Sequence, residues 1–170
     1  MSVVVWLTGL PSSGKTTLAR VLARALSGHG RASVVLDGDE VRDALVPHPG
    51  YTHEARDAFY DTLGRLAALV ARQGVVALVP ATAPRREHRA WARERAPHWV
   101  EVYVSTPLGT CEARDDKGHY ARARATPANT MPGLGSPYEA PDDPDVLALP
   151  DEPHEEIALR IVALVLSRSA

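Results

Sequence analysis

Residues 9–16 read Gly9-Leu10-Pro11-Ser12-Ser13-Gly14-Lys15-Thr16, and the rest of the chain is read outward from that octet. The apolar run Val3-Val4-Val5-Trp6-Leu7 leads in, and a helical pattern from Thr17 to Leu26 leads out. Strand, glycine-rich loop and helix in that order are the setting in which G-x-x-x-x-G-K-[ST] binds phosphate. Gly9 and Gly14 have no side chain to clash as the backbone curls. Successive amide hydrogens then turn inward, with the positive end of the helix behind them. Lys15 reaches the β- and γ-phosphates of a nucleoside triphosphate, and Thr16 sets its hydroxyl on a magnesium ion. An ATP or GTP site built from Gly9, Leu10, Pro11, Ser12, Ser13, Gly14, Lys15, Thr16 and Thr17 is the expectation.

Charge narrows the choice of partners. The chain has 170 residues, with 19 basic against 21 acidic side chains. That balance creates no general field for nucleic acid or an anionic membrane, so a small-molecule substrate is expected. No apolar run approaches the ~20 residues of a membrane span, and the N-terminus enters a strand without a basic leader. The reading is a soluble, cytoplasmic protein. Cys111 is the one cysteine and reads as a half-buried packing thiol. Lys15 and Lys117 are the only lysines in an arginine-rich chain, which marks Lys117 as a second residue with chemistry to perform.

Strand and helix patterns alternate along the chain. Ser27-Gly28-His29-Gly30 stops the first helix, and Ala32 to Leu36 reads as a short strand ending at Asp37. Residues 53–73 carry apolar side chains at helical spacing, and Val75 to Ala81 is a third strand. A charged helix (Arg85 to Arg95), a fourth strand (Trp99 to Val104) and a helix opened by Pro107 follow. Val146 to Leu149 is a weak fifth strand, and Glu155 to Ser167 an amphipathic closing helix. Neither repeat nor linker divides the chain, so residues 1–170 read as one α/β domain. Its parallel sheet has helices on both faces, and ligands gather outside the carboxyl ends of the strands.

That rule selects Asp37-Gly38-Asp39-Glu40-Val41-Arg42 at the end of the second strand. Asp39 is placed to accept a proton from an attacking hydroxyl while Asp37 orients the metal through water. The plainer alternative is an Asp-Gly turn that caps a following helix. A second cationic run, Arg114-Asp115-Asp116-Lys117-Gly118-His119-Tyr120 with Arg122 and Arg124, reads as a lid over the phosphates or as a solvated helix face. Thr126 to Pro144 is rich in proline and glycine, and a long irregular stretch of that kind is uncommon unless it has a function or is disordered.

Taken together, Gly9 to Thr17, Leu36-Asp37-Gly38-Asp39 with Val41-Arg42, Cys111-Glu112-Ala113-Arg114-Asp115 with Lys117-Gly118 and Tyr120, and Ser136-Pro137-Tyr138-Glu139-Ala140-Pro141 resemble the adenylylsulfate kinase family. The resemblance runs in order over about residues 3–150. It implies a P-loop NTPase fold, a three-layer αβα arrangement with a five-stranded parallel sheet and a lid over about residues 114–144. The implied activity is phosphorylation of the 3′-hydroxyl of adenosine 5′-phosphosulfate (APS) by MgATP, commonly in a homodimer. Carried over, Lys15, Asp37 and Asp39 are catalytic, Thr16 and Asp37 face the metal, and Arg114 joins the ATP site. Asp39, Arg42, Tyr51, Arg56, Phe59, Thr82, Ala83, Lys117 and Met131 line the acceptor. Several of these depart from the family pattern. Glu40 replaces an asparagine, and Ala55 and Phe59 replace the aspartate and asparagine of Asp-Arg-x-x-Asn. Ala83 stands for the serine of Ile-Ser-Pro, a residue described in the family as phosphorylated, and Met131 for an adenine-stacking phenylalanine. The donor side is intact and the losses cluster at the acceptor. A kinase on the same scaffold with another hydroxyl acceptor, and a nucleotide-binding protein without turnover, therefore stand beside the first reading.

The remaining features read as structural. Acids interleave with bases in Arg85 to Arg95, which suggests a solvated face with internal ion pairs. The seven histidines are scattered, without zinc-ligand spacing to Cys111, and His48 and His53 flank the acceptor region around Tyr51. Trp6, Trp91 and Trp99 read as packing residues.

Overall fold

All six residues of the first strand are buried, because helices cover the sheet on both sides of it. The computed structural model describes residues 1–169. In chain order the elements are β1 (Val3–Thr8), α1 (Lys15–Gly28), β2 (Ser33–Val35), α2 (Gly38–Ala44), α3 (His53–Arg72) and β3 (Val76–Pro80). They continue with α4 (Arg86–Arg95), β4 (His98–Val104), α5 (Leu108–Ala113), α6 (His119–Ala125), β5 (Val146–Ala148) and α7 (His154–Arg168). The strands are all parallel in the order β2-β3-β1-β4-β5, which gives the expected three-layer arrangement.

Alternation along β1 divides the core. Val3, Val5 and Leu7 pack with Leu18, Leu22 and Leu26 of α1 and with Ile157 and Ile161 of α7. Val4 and Trp6 point the other way, into Phe59, Leu63 and Ala67 of α3 and Ala92 of α4. The period of two in a strand buried on both faces therefore supplies two cores from one apolar run. Trp6 stacks on Trp99 at 5.7 Å, which bears out the packing reading of those rings. Helices α3 and α4 touch where a Cβ on Gly64 would lie 2.9 Å from Ala92 Cβ. No larger residue fits that approach.

The helix that the Asp-Gly turn would cap is present as α2, with Asp37 as its cap. One expectation is revised: helix α4 is not a solvated face with internal pairs. His88 and Arg89 are buried, and its ions mostly reach other elements: Arg85 to Asp57 (3.0 Å), Arg89 to Glu101 (3.0 Å), Arg95 to Asp61 (2.6 Å), and Arg86 to Asp142. The close α3–α4 contact turns one flank of a polar sequence inward, where only cross-element partners are available. Cys111 is fully buried, and burial pushes its thiol up.

Candidate active site

The phosphate loop joins β1 to α1 through three residues with positive φ: Gly9 (156°), Ser12 (59°) and Gly14 (100°). A Cβ on Gly9 would sit 2.5 Å from the Val104 carbonyl oxygen of β4, so glycine there is a matter of space. The first intrahelical donor of α1 is Leu18, to Gly14 O at 3.0 Å, which leaves the amides of Lys15, Thr16 and Thr17 without helix partners. Gly14 offers no capping side chain, and the first turn has no acid. An anion-binding helix end is therefore open. Lys15 is buried, and its Nζ donates to Gly9 O (3.0 Å), Leu10 O (2.7 Å) and Ser13 Oγ (3.4 Å). Burial pulls its ammonium down to about 8, against the attraction of Asp39 and Asp37.

Asp37 caps α2 and also contacts the phosphate loop. Its Oδ1 caps α2, accepting from Asp39 N (3.0 Å) and Glu40 N (3.4 Å), while Oδ2 accepts from Thr16 Oγ1 at 2.5 Å. One carboxylate thus ties the second strand end to the phosphate loop. Gly38 lets α2 start beside β3, where a Cβ would meet Ala81 Cβ at 3.3 Å. Asp39, in the first turn of α2, reaches Lys117 Nζ at 3.2 Å, and both side chains are 66% exposed.

Two guanidiniums occupy the next layer. Arg42 is 5% exposed, and among the described residues it has no carboxylate partner; its Nη1 donates to Gly50 O at 2.9 Å. Its Cζ lies 3.8 Å from the Phe59 ring centroid and 4.8 Å from that of Tyr51. Arg56, also without an acid, donates to Thr130 O (2.7 Å) and Thr130 Oγ1 (3.3 Å), with its Cζ 6.0 Å from the Tyr51 centroid. Burial, with Arg42 nearby, lowers its pKa. Two partly desolvated cations without counter-ions are costly unless an anion joins them.

Residues 115–138 are tied to this floor by two tyrosines, Tyr120 and Tyr138. Asp115 caps α6 by accepting from His119 N (2.8 Å) and Tyr120 N (2.7 Å), and Tyr120 OH donates to Pro11 O of the phosphate loop at 2.9 Å. Met131 O accepts a tight turn, from Leu134 N (3.2 Å), Gly135 N (2.9 Å) and Ser136 N (3.0 Å). Tyr138 OH donates to Thr8 Oγ1 (2.8 Å), whose own hydroxyl hydrogen goes to Thr82 O (2.7 Å). A cavity of about 550 Å³ lies between Leu10 and residues 133–138. Ala83 is buried at φ 40°, its carbonyl accepting from Arg89 at 2.7 Å.

The structure thus gathers Lys15, Thr16, Asp37, Asp39 and Lys117 on one side, and Arg42, Tyr51, Arg56 and Phe59 on the other. Arg114 does not join them by contact. It stands exposed at the end of α5 with no polar side-chain partner among the described residues. His48 pairs with Asp43 at 3.3 Å, and His53 starts α3 on the surface. Sequence reasoning assigned no role to Tyr120, Tyr138 or Arg89. The first two lay inside motifs already quoted, whereas Arg89 carried no signal beyond its charge.

A sequence model of the family described as Adenylylsulphate kinase matches residues 1–148. The chain belongs to the adenylylsulfate kinase family. Among its adenylylsulfate kinase relatives, one from Picosynechococcus sp. is 43% identical over 144 residues, 85% of this chain and 81% of the relative. An APS kinase from Mycobacterium tuberculosis, solved in complex with AMPPNP and APS, superposes with a TM-score of 0.90 at 38% identity, covering 97% of this chain and 98% of that one. A hexameric APS kinase from Thiobacillus denitrificans has a TM-score of 0.70 at 26% identity, covering 98% of this chain and 29% of that one. Among the described residues of this family member, no helix is long and apolar enough to cross a membrane.

Proposed function

We propose that this chain transfers the γ-phosphate of ATP to the 3′-hydroxyl of APS, giving 3′-phosphoadenylyl sulfate and ADP. The observation that carries the reading is the presence of an open phosphate-binding loop together with two acid-free guanidiniums, Arg42 and Arg56. The loop suits a triphosphate, and the arginines suit an acceptor that carries its own negative charge. Membership of the family narrows that acceptor to APS.

In this mechanism the free amides of Lys15, Thr16 and Thr17 hold phosphate oxygens, and Lys15 exchanges its loop carbonyls for the β- and γ-phosphates. A buried ammonium already depressed to about 8 gains the counter-charge its site lacks. Asp39 takes the 3′-hydroxyl proton as that oxygen bonds to the γ-phosphorus. The bond to the β–γ bridging oxygen breaks with its electron pair, which leaves on ADP. Asp39 must first release Lys117, which then turns to the acceptor's charge. Thr16 Oγ1 and Asp37 Oδ2, which share a hydrogen bond here, are the hard oxygens that would hold Mg2+, directly or through its water. When bound, Mg2+ supplies charge neutralisation on the β- and γ-phosphate oxygens.

Residues 114–144 serve as the lid of the single kinase domain (1–170), and Thr82, Ala83 and Met131 complete the acceptor's surroundings, with Arg114 meeting ATP once the lid closes. We place the enzyme in the cytoplasm as a homodimer, the assembly the family resemblance suggests. A second reading, transfer to a different hydroxyl on the same scaffold, draws on Phe59, Ala55 and Met131, which offer the acceptor no side-chain hydrogen bond. Coupled measurement of ADP release separates the two: APS-dependent release supports the first, and release that ignores APS but responds to another alcohol supports the second.

A further inference from the structure

We propose that Phe59 is a positioning residue for the acceptor, acting through Arg42. The proposal rests on the APS reading above and deepens it at one side chain. Arg42 comes from α2 and arrives 5% exposed, with five N–H donors and one protein acceptor, Gly50 O. Its neighbours offer π faces and no acid. The Phe59 ring, 3% exposed, has its centroid 3.8 Å from Arg42 Cζ and packs edge-on against Tyr60 at 5.3 Å. Tyr51 is the looser neighbour, 4.8 Å away and 58% exposed. Phe59 is therefore the fixed side of the contact, and Tyr51 the side free to move with substrate.

The chemistry of that contact differs from that of the amide found in the family pattern. A ring face attracts a guanidinium without consuming its N–H donors or cancelling its charge. A carboxylate would do both, and an amide would take up donors. Phe59 thus offsets part of the desolvation of Arg42 and leaves the cation ready for an anionic group. Arg56 stands three residues earlier on α3, so the ring and the second cation share one helix face. On this account the replacement at residue 59 gives up a hydrogen bond to the acceptor and substitutes a rigidly aimed charge.

Phe59 is the sole phenylalanine of the chain, so biosynthetic labelling with fluorinated phenylalanine changes this one ring. Fluorine withdraws the electron density that attracts the cation and barely alters shape. With the full-length enzyme, KM for APS is expected to rise stepwise from phenylalanine through 4-fluoro- to 3,5-difluorophenylalanine. The kcat and the KM for ATP should stay level. Phe59→Leu, which keeps apolar bulk without a ring, is expected to raise KM for APS about 3- to 10-fold, and Phe59→Tyr to restore it. In an Arg42→Ala background Phe59→Leu should add nothing. The single 19F resonance should shift when APS is added. A KM for APS indifferent to fluorination and equal in the Leu and Tyr variants overturns the positioning role while the APS reading stands. If the unlabelled enzyme does not turn over APS and the labelled enzyme shows no resonance shift with it, both fall. Should Phe59→Leu not fold, the labelled wild-type series decides alone.

Discussion

Removing the guanidinium of Arg89 is expected to cost more stability than any surface ion pair could supply. Arg89 is 4% exposed and donates to Glu101 Oε1 (3.0 Å), Ala83 O (2.7 Å) and Glu139 O (2.6 Å), so one side chain joins α4, β4, the loop after β3 and the segment that carries Tyr138. Arg89→Met keeps the apolar stem and leaves the Glu101 carboxylate, 13% exposed, without its cation. Orphaning a buried charge costs about 3–5 kcal/mol. At about 2–4 °C per kcal/mol for a chain of this size, the melting temperature should fall by roughly 10 °C. Burial already raises the Glu101 carboxyl, and Arg89 opposes it. Without Arg89 the carboxyl rises further, so the folded state binds its proton more tightly than the unfolded chain does. The deficit should therefore be smaller at pH 5 than at pH 8. Adding Glu101→Leu should recover part of the loss, because an apolar pair leaves no charge behind. Urea and thermal unfolding at both pH values measure this. A loss below about 1 kcal/mol at either pH, the size of an exposed pair, would refute the keystone reading.

Other outcomes follow from the same geometry. Gly9→Ala places a Cβ 2.5 Å from Val104 O and 3.0 Å from Ser13 Oγ, and the displaced loop should bind AMPPNP at least about tenfold more weakly by calorimetry. Asp39→Asn should keep AMPPNP affinity within about twofold and lower kcat by about 10²-fold or more; an unchanged kcat would move the base elsewhere. Buried His88 of α4, paired with half-buried Asp57, predicts an acid-side loss of stability. Burial lowers the His88 pKa despite its 2.7 Å contact with Asp57, so between pH 7 and 5 the unfolded chain takes up a proton that the folded one resists. Asp57, held below its ordinary value by His88 and Arg85 although burial opposes them, adds a loss only as pH falls past about 4. The urea midpoint should drop over the upper window, and His88→Gln should flatten it.

Much of the architecture was legible because its causes are local. A doubly covered strand needs a continuous apolar run, and β1 and β3 each show one, while β4 keeps its buried positions apolar around Glu101. The phosphate loop was legible because curling the backbone around an anion demands glycine at set positions, whatever lies far away. Helix α2 was legible only as an alternative, the helix that an Asp-Gly turn would cap. Its seven residues include three acids and an arginine, and its start depends on the Asp37 cap and on the space Gly38 leaves against Ala81. The charged α4 misled for a related reason. Interleaved charges look solvated until a neighbouring helix closes within reach of one flank, as α3 does at Gly64.

At the acceptor side the division is sharpest. Residue order alone established that a triphosphate-binding loop precedes an acid pair, that hydrogen-bonding groups expected by resemblance are replaced at Ala55, Phe59 and Ala83, and that a stacking ring is replaced at Met131. It could not say what takes their place. Arg42 and Phe59 lie 17 positions apart on different helices, and only the packing of α2 against α3 sets the guanidinium over the ring. The loop is specified by near neighbours whose backbone angles are dictated by sterics. The direction and charge of Arg42 depend on distant atoms whose separation is known only once the chain has folded.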